Sequence, residues 1–204
     1  MAILITQSLL SSWNYMMDCR EESQDSAYEE FINALNRIKK EATLEMQNGI
    51  DFENAVYAEA SGVPREPHPK WESGIQAVAK VIRGGQFQVR EQRLMNVCGH
   101  EFLVYGILDA LKAGEIYDVK FSNKGFGSAE LAGKYLESAQ HPAYFYLVPE
   151  AYKFTYLVSD GQDLYPEVYT RSMSRPFEEI VEEFVKFLKA SGLFGIYEEI
   201  WAAK

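Results

Sequence analysis

The sequence predicts an α+β fold, with a central mixed β-sheet that contains an antiparallel three-strand meander and is flanked by helices. Three observations carry that expectation. Apolar residues recur at helical spacing before residue 84 and again after Pro176. Between residues 87 and 122 the pattern changes to strand-like runs. The order that results is helices, three strands, helix, strand, helix, which favours strands and helices in separate layers. With 204 residues, 47% of them apolar and 25% charged, the chain is not mostly disordered. A domain of this length buries roughly 70% of its extended-chain surface and needs no disulfide or structural metal to fold.

The first 60 residues read as helical. Ser26 to Met46 places Phe31, Ile32, Leu35, Ile38 and Ala42 near a 3.6-residue period, and Asn48-Gly49 is the expected stop. A second helix, about Ile50 to Ala60, puts Phe52, Val56 and Ala60 on one face with Glu53 beside it. Ser61 to Pro69 is a proline-rich loop. Trp71 to Ile82 is an amphipathic helix closed by Gly84-Gly85. Phe87 to Val97, His100 to Leu111 and Glu115 to Ser122 read as three strands. Helical patterning returns between Ser128 and Tyr146, interrupted at Pro142. Ala151 to Ser159 is a late strand stopped at Asp160-Gly161. A last helix starts at Pro176, buries Phe177, Ile180, Val181, Phe184, Val185 and Leu188, and ends at Ser191-Gly192.

Composition narrows the function. No apolar run reaches the ~18 residues of a membrane span, so no membrane partner is expected. The opening MAILITQSLLSSWNYMMDCR lacks the basic start of a signal peptide. Two cysteines, Cys19 and Cys98, are too few for a disulfide framework, a four-thiolate zinc site or an iron–sulfur cluster. Together these features point to the reducing cytoplasm. The net charge of −10 argues against indiscriminate nucleic-acid binding, but the charge is uneven. Residues 1–60 hold 4 basic and 11 acidic side chains, whereas residues 80–134 hold 8 basic against 6 acidic. Only the central segment suits a polyanion.

The chemistry concentrates in Tyr105 to Lys120. With Ala113-Gly114 as a two-residue hairpin turn, Lys112 faces Glu115 and Asp109 faces Asp118. The two carboxylates are then expected on one sheet face with Cβ atoms ~5 Å apart, and Lys120 shares that face by strand alternation. Like charges opposed in a buried hairpin are destabilising, and a divalent cation held by hard oxygen ligands, Mg²⁺ or Mn²⁺, removes the conflict. His68, His100 and His141 lack metal-ligand spacing and read as structural or surface residues. Cys98 has no His/Asp partner pattern that would make it a nucleophile.

Gly106-x-x-Asp109 followed by Asp118-Val119-Lys120 across a short hairpin resembles the catalytic core of the PD-(D/E)XK nuclease superfamily. Gln140-His141-Pro142-Ala143-Tyr144 supplies the Gln-x-x-x-Tyr of its RecB-type and phage-exonuclease branch. Gly49 to Val56, with Glu53 as the matching acid, resembles the branch's acidic helix before the meander. Thr6 to Leu10 with Trp13, Tyr15 and Cys19 resembles its opening helix more loosely. The match covers about residues 5–160. The resemblance implies a restriction-endonuclease-like αβββαβ core within one nuclease domain over 1–204. That domain would have a helical part at 1–84, a catalytic core at about 49–160 and C-terminal helices at 175–204.

It further implies an Mg²⁺- or Mn²⁺-dependent deoxyribonuclease, an exonuclease, acting in phage or bacterial replication, recombination or repair. The alternatives are an endonuclease of the same superfamily or an inactive interaction module with this fold. Asp109, Asp118, the Val119 carbonyl and Glu53 would hold the metal, and Lys120 would orient or help deprotonate the attacking water. Gln140 and Tyr144 would meet nucleic acid, with Lys124 and Lys134 as further phosphate contacts. DNA, a second copy of the chain, and a replication or recombination protein are the partners the resemblance brings into view. The cytoplasm of a bacterium or of a phage-infected host would be its compartment.

Overall fold

The computed structural model describes residues 1–123, 125–126 and 132–203. Their elements run β1 (Ile3–Thr6), α1 (Gln7–Asp18), α2 (Gln24–Leu35), α3 (Leu44–Ser61), α4 (Glu72–Ile82), β2 (Gln86–Val97), β3 (His100–Lys112) and β4 (Glu115–Phe121), followed by α5 (Gln140–Leu147), β5 (Lys153–Ser159), β6 (Leu164–Thr170), α6 (Phe177–Ala190) and α7 (Phe194–Ile200). The expected α+β class holds: one mixed sheet ordered β1-β3-β4-β5-β6, with β2 also on β3, and helices on both faces. Among the described residues no helix is long and apolar enough to cross a membrane.

The helical boundaries differ from the sequence expectation most in the first 60 residues. The single helix over Ser26 to Met46 is instead two, because α2 stops after Leu35 with Arg37 in the left-handed region at φ 54°. A distant contact fixes this stop: Trp201 Nε1 donates to the Leu35 carbonyl at 2.7 Å and the Arg37 guanidinium covers the Trp201 ring. Asn48-Gly49 is no stop either, since α3 runs through it. Thr43 caps α3 by accepting from the Met46 N–H at 3.2 Å, and Phe52, Val56 and Ala60 form its buried stripe. Half-buried Gly49 costs a helix about 1 kcal/mol relative to alanine, and the packed stripe outweighs it. The real end is Gly62 at φ 70°, where Val63 N–H bonds back to the Ala58 carbonyl.

Two strands lie outside the sequence expectation. β1 falls in the region read as helical, yet its Ile3 and Ile5 alternate inward and it pairs in parallel with Phe102–Tyr105 of β3. β6 carries Pro166, which an edge strand tolerates, and pairs only with β5. The late strand starts at Lys153, two residues after the expected Ala151. Within the expected helix over Ser128 to Tyr146, residues 127–131 lie outside the described residues and the helix itself begins at Gln140. Pro142 falls in its first turn, where a missing N–H costs nothing.

The sheet separates two apolar clusters. α1, α2, α5, α6 and α7 close one face around Trp13, Phe31, Phe154, Phe184 and Tyr197. α3 and α4 close the other around Phe52, Val56, Ile75, Val78 and Ile82. β3 is the axis of this arrangement. β2 pairs along nearly its whole length on one edge, so β1 and β4 must share the other: β1 takes Phe102–Tyr105 and β4 takes Ala110–Lys112. The stretch Gly106–Asp109 therefore has no strand partner on that edge, and α5 covers it. Tyr144 Oη donates to the Ile107 carbonyl at 2.7 Å, satisfying a backbone acceptor that no strand reaches. The approach is so close that a Cβ on Gly106 would lie 2.7 Å from Tyr144 Cε1 and 2.8 Å from Leu147 Cδ1. Gly106→Ala is accordingly expected to destabilise the fold by about 1–3 kcal/mol, the usual cost of overpacking, which thermal denaturation would measure. The buried tyrosine ring, pinned through its hydroxyl, cannot step aside.

Candidate active site

The unpaired stretch of β3 is where the candidate residues meet. Strict alternation would put Leu108 and Ala110 on one face, but Leu108 packs in the cluster under α5 and Ala110 in the cluster under α3 and α4. Phe87 and Val89 divide in the same way on the neighbouring strand, and the ladder skips Gln88 and Asp109 between them. The alternation thus slips at Asp109. This corrects the expected direct opposition of Asp109 and Asp118, because the β3–β4 ladder ends at Ala110 and Tyr117. Asp109 Oδ2 instead accepts the Val119 N–H at 2.8 Å. The carboxylate bridges the opening between the two strands.

Asp118 is 2% exposed. Gln140 Nε2 donates to its Oδ1, and Lys120 Nζ lies 2.8 Å from its Oδ2. Oδ2 has no aligned hydrogen-bond donor, so the ammonium charge alone offsets it. Burial pulls the Lys120 ammonium toward deprotonation, but the Asp118 carboxylate and then Asp109 together outweigh it and hold the lysine pKa above its ordinary value. In this arrangement the Asp118 carboxylate holds Lys120 as a cation. Burial, and then the charges of Asp118 and Glu53, push the Asp109 carboxyl well above the usual range, against the Val119 N–H and Lys120.

Gln140 and Tyr144 lie one turn apart on α5, the first reaching Asp118 and the second reaching Ile107. At the far end of this short helix the Arg171 guanidinium donates to the carbonyls of Phe145, Pro149 and Ala151 at 3.0, 2.9 and 3.1 Å. Glu53 approaches from α3 on the other side. Its Oε1 accepts from Tyr57 Oη at 2.7 Å and from Gln88 Nε2 at 3.1 Å. The structure thus brings together Asp109, Asp118, Val119, Lys120, Gln140 and Tyr144, with Glu53 near enough for its charge to act on Asp109.

Lys134 is exposed, with its ammonium 5.5 Å from the Tyr135 ring centroid, and Lys124 lies outside the described residues. The three histidines are elsewhere. His68 stacks on Trp71, His100 packs on Phe194, and His141 lies buried against Tyr169, where desolvation lowers its pKa to about 4 and keeps it neutral.

Tyr57 and Gln88 are site neighbours that the sequence reading passes over. A signal was present for each: Tyr57 follows Glu53 by one helical turn, and Gln88 falls opposite Asp109 once the Cys98-Gly99 hairpin sets the register.

Among the described residues no three His, Cys, Asp or Glu side chains converge on one point. The donor set is a pair of carboxylates, one of them with a buried oxygen lacking an aligned donor. That set fits Mg²⁺ or Mn²⁺, which take one or two protein carboxylates and fill the remaining positions with water or phosphate. It does not fit the nitrogen- and sulfur-rich shell of a structural zinc.

No family model matches the sequence, and no curated protein matches it. Among solved structures, a chain described as SSO0001 superposes with a TM-score of 0.52, at 14% identity, over 92% of this chain and 77% of that one. A chain described as LHK-Exo in complex with dAMP covers 98% of this chain and 94% of its own at 14% identity, with a TM-score of 0.46. The first likeness is one of fold.

Proposed function

We propose that this protein is an Mg²⁺-dependent deoxyribonuclease of the PD-(D/E)XK type that degrades DNA from its ends. The observation that carries the reading is the cluster at the opening between β3 and β4. Two carboxylates, one buried and one with a strongly raised pKa, stand there beside a lysine held as a cation 2.8 Å from Asp118. Such a site is unstable by itself and becomes balanced when a divalent cation and a phosphate diester enter together.

In this reading Asp109 and Asp118 hold the metal, with the Val119 carbonyl and Glu53 completing the shell through water. The bound metal supplies an activated water and charge stabilisation at the phosphate. Lys120 offsets charge that develops on the scissile phosphate, as a compact cation does well. Gln140 keeps Asp118 in one orientation, and the Val119 N–H does the same for Asp109. The expected nucleic-acid contacts of Gln140 and Tyr144 give way to internal ones, because both side chains are buried and bonded to Asp118 and to the Ile107 carbonyl, and Lys134 and Lys124 are left as the proposed phosphate contacts. A second copy of the chain and a recombination or replication protein are the proposed partners.

Incubation with linear and covalently closed circular DNA, in Mg²⁺ or in EDTA, tests the reading. Mg²⁺-dependent shortening of linear DNA with circles left intact is the expected result. Nicking of circles would make the enzyme an endonuclease of the same chemistry. Absence of any Mg²⁺-dependent product would leave an inert interaction module.

A further inference from the structure

Among the described residues, four non-glycine residues adopt positive φ: Arg37, Gln88, Cys98 and Ala113. Cys98 and Ala113 begin the two-residue turns of the β2–β3 and β3–β4 hairpins, each followed by a glycine, and Arg37 ends α2. Gln88 alone lies inside a strand, at φ 52°. A side chain in that conformation is strained, so the surrounding structure must hold it there. The strain falls at the place on β2 that faces Asp109, where the inward-outward alternation of both strands slips. The kink turns the Gln88 amide toward α3, where Nε2 donates to Tyr57 Oη at 2.8 Å and to Glu53 Oε1 at 3.1 Å. The Tyr57 ring packs on Phe87 with centroids 5.6 Å apart, and its hydroxyl donates to the same Glu53 oxygen. Oε1 is thereby doubly held, and Oε2 has no donor among the described residues.

We infer that Gln88 and Tyr57 are positioning residues that fix the rotation of the Glu53 carboxylate, so that its second oxygen serves the divalent cation held by Asp109 and Asp118. The inference rests on the metal-dependent reading above and adds to it a division of labour within one carboxylate. One oxygen is committed to the protein and the other is left for the hydrated ion. It also gives the strained backbone a purpose, because an extended residue 88 would direct its amide along the normal alternation of the strand and away from α3.

Two variants separate the amide from the kink. Gln88→Gly keeps a residue at ease with positive φ and removes the amide, and Tyr57→Phe removes the hydroxyl while keeping the ring on Phe87. Mn²⁺ alone is titrated into each folded protein and the free ion is read by electron paramagnetic resonance, with melting temperature recorded alongside. Each variant is expected to bind Mn²⁺ about tenfold more weakly than wild type, the lower end of what loss of an outer-shell partner costs. The double variant should lose little more than either single one, since both groups act through the same oxygen. Wild-type binding of Mn²⁺ that both variants match would overturn the positioning role and leave the nuclease reading standing. Failure of the wild type itself to bind Mn²⁺ would overturn the metal-dependent reading and this inference with it.

Discussion

Lys120→Met is expected to reduce Mg²⁺-dependent cleavage by at least about 10²–10³-fold, the loss typical when one preorganised charge is removed from a transition state. The same change should make the folded protein lean more heavily on the metal. In the wild type the ammonium 2.8 Å from Asp118 Oδ2 is the cation that offsets a 2% exposed carboxylate. Removing one member of a buried pair costs about 3–5 kcal/mol, and the 35% exposure of the Lys120 side chain discounts that toward the lower values seen for solvated pairs. Asp118 and Asp109, whose charges act on each other, would then lack an internal counter-charge. The melting temperature of Lys120→Met should therefore fall in EDTA and rise on addition of Mg²⁺ by more than that of the wild type. Equal Mg²⁺ shifts in the two proteins would mean that Lys120 and the cation do not share a site.

Asp109→Asn should lose activity to a similar extent yet gain stability. The asparagine oxygen can still accept the Val119 N–H, while the charge that burial, Asp118 and Glu53 all disfavour is gone. A gain of ~1 kcal/mol would raise the melting temperature of a chain this size by about 2–4 °C in metal-free buffer. The pH dependence has a definite sign. The folded protein holds the Asp109 proton to higher pH than the unfolded chain, whose carboxyl titrates near ~3.9. Between that value and the raised folded one, the folded state binds more protons, so this residue's contribution to stability declines as pH rises. Denaturant titrations in EDTA across that range should show the decline in the wild type and a flatter profile in Asp109→Asn. Identical slopes would indicate that Asp109 ionises normally.

These residues were legible because hairpin chemistry is local. Ala113-Gly114 at φ 51° and 78° sets the β3–β4 turn that the sequence suggests, and one helical turn separates Gln140 from Tyr144. The slip at Asp109 was not legible, since it coincides with a positive φ at Gln88 that a glutamine does not signal, and β1 is a four-residue strand inside a region of helical pattern. The break after Leu35 was hidden for the same kind of reason. It depends on Trp201, far along the chain, and on a left-handed arginine where a glycine would have signalled the end. The Lys120–Asp118 ion pair was legible only in part. Strand alternation puts both side chains on one face, and it does not give the 2.8 Å between them.

Arg171 has a consequence of another kind. Its guanidinium gathers carbonyls at the far end of α5, the eight-residue helix whose first residue, Gln140, steadies Asp118. A helix of two turns behaves as a rigid rod, so whatever anchors its tail aims its head. The alignment of the acid is thus inherited from the segment that follows β6, at a distance from any DNA. Tuning the candidate site by mutation can begin there, by adjusting the mount and leaving the acids themselves untouched.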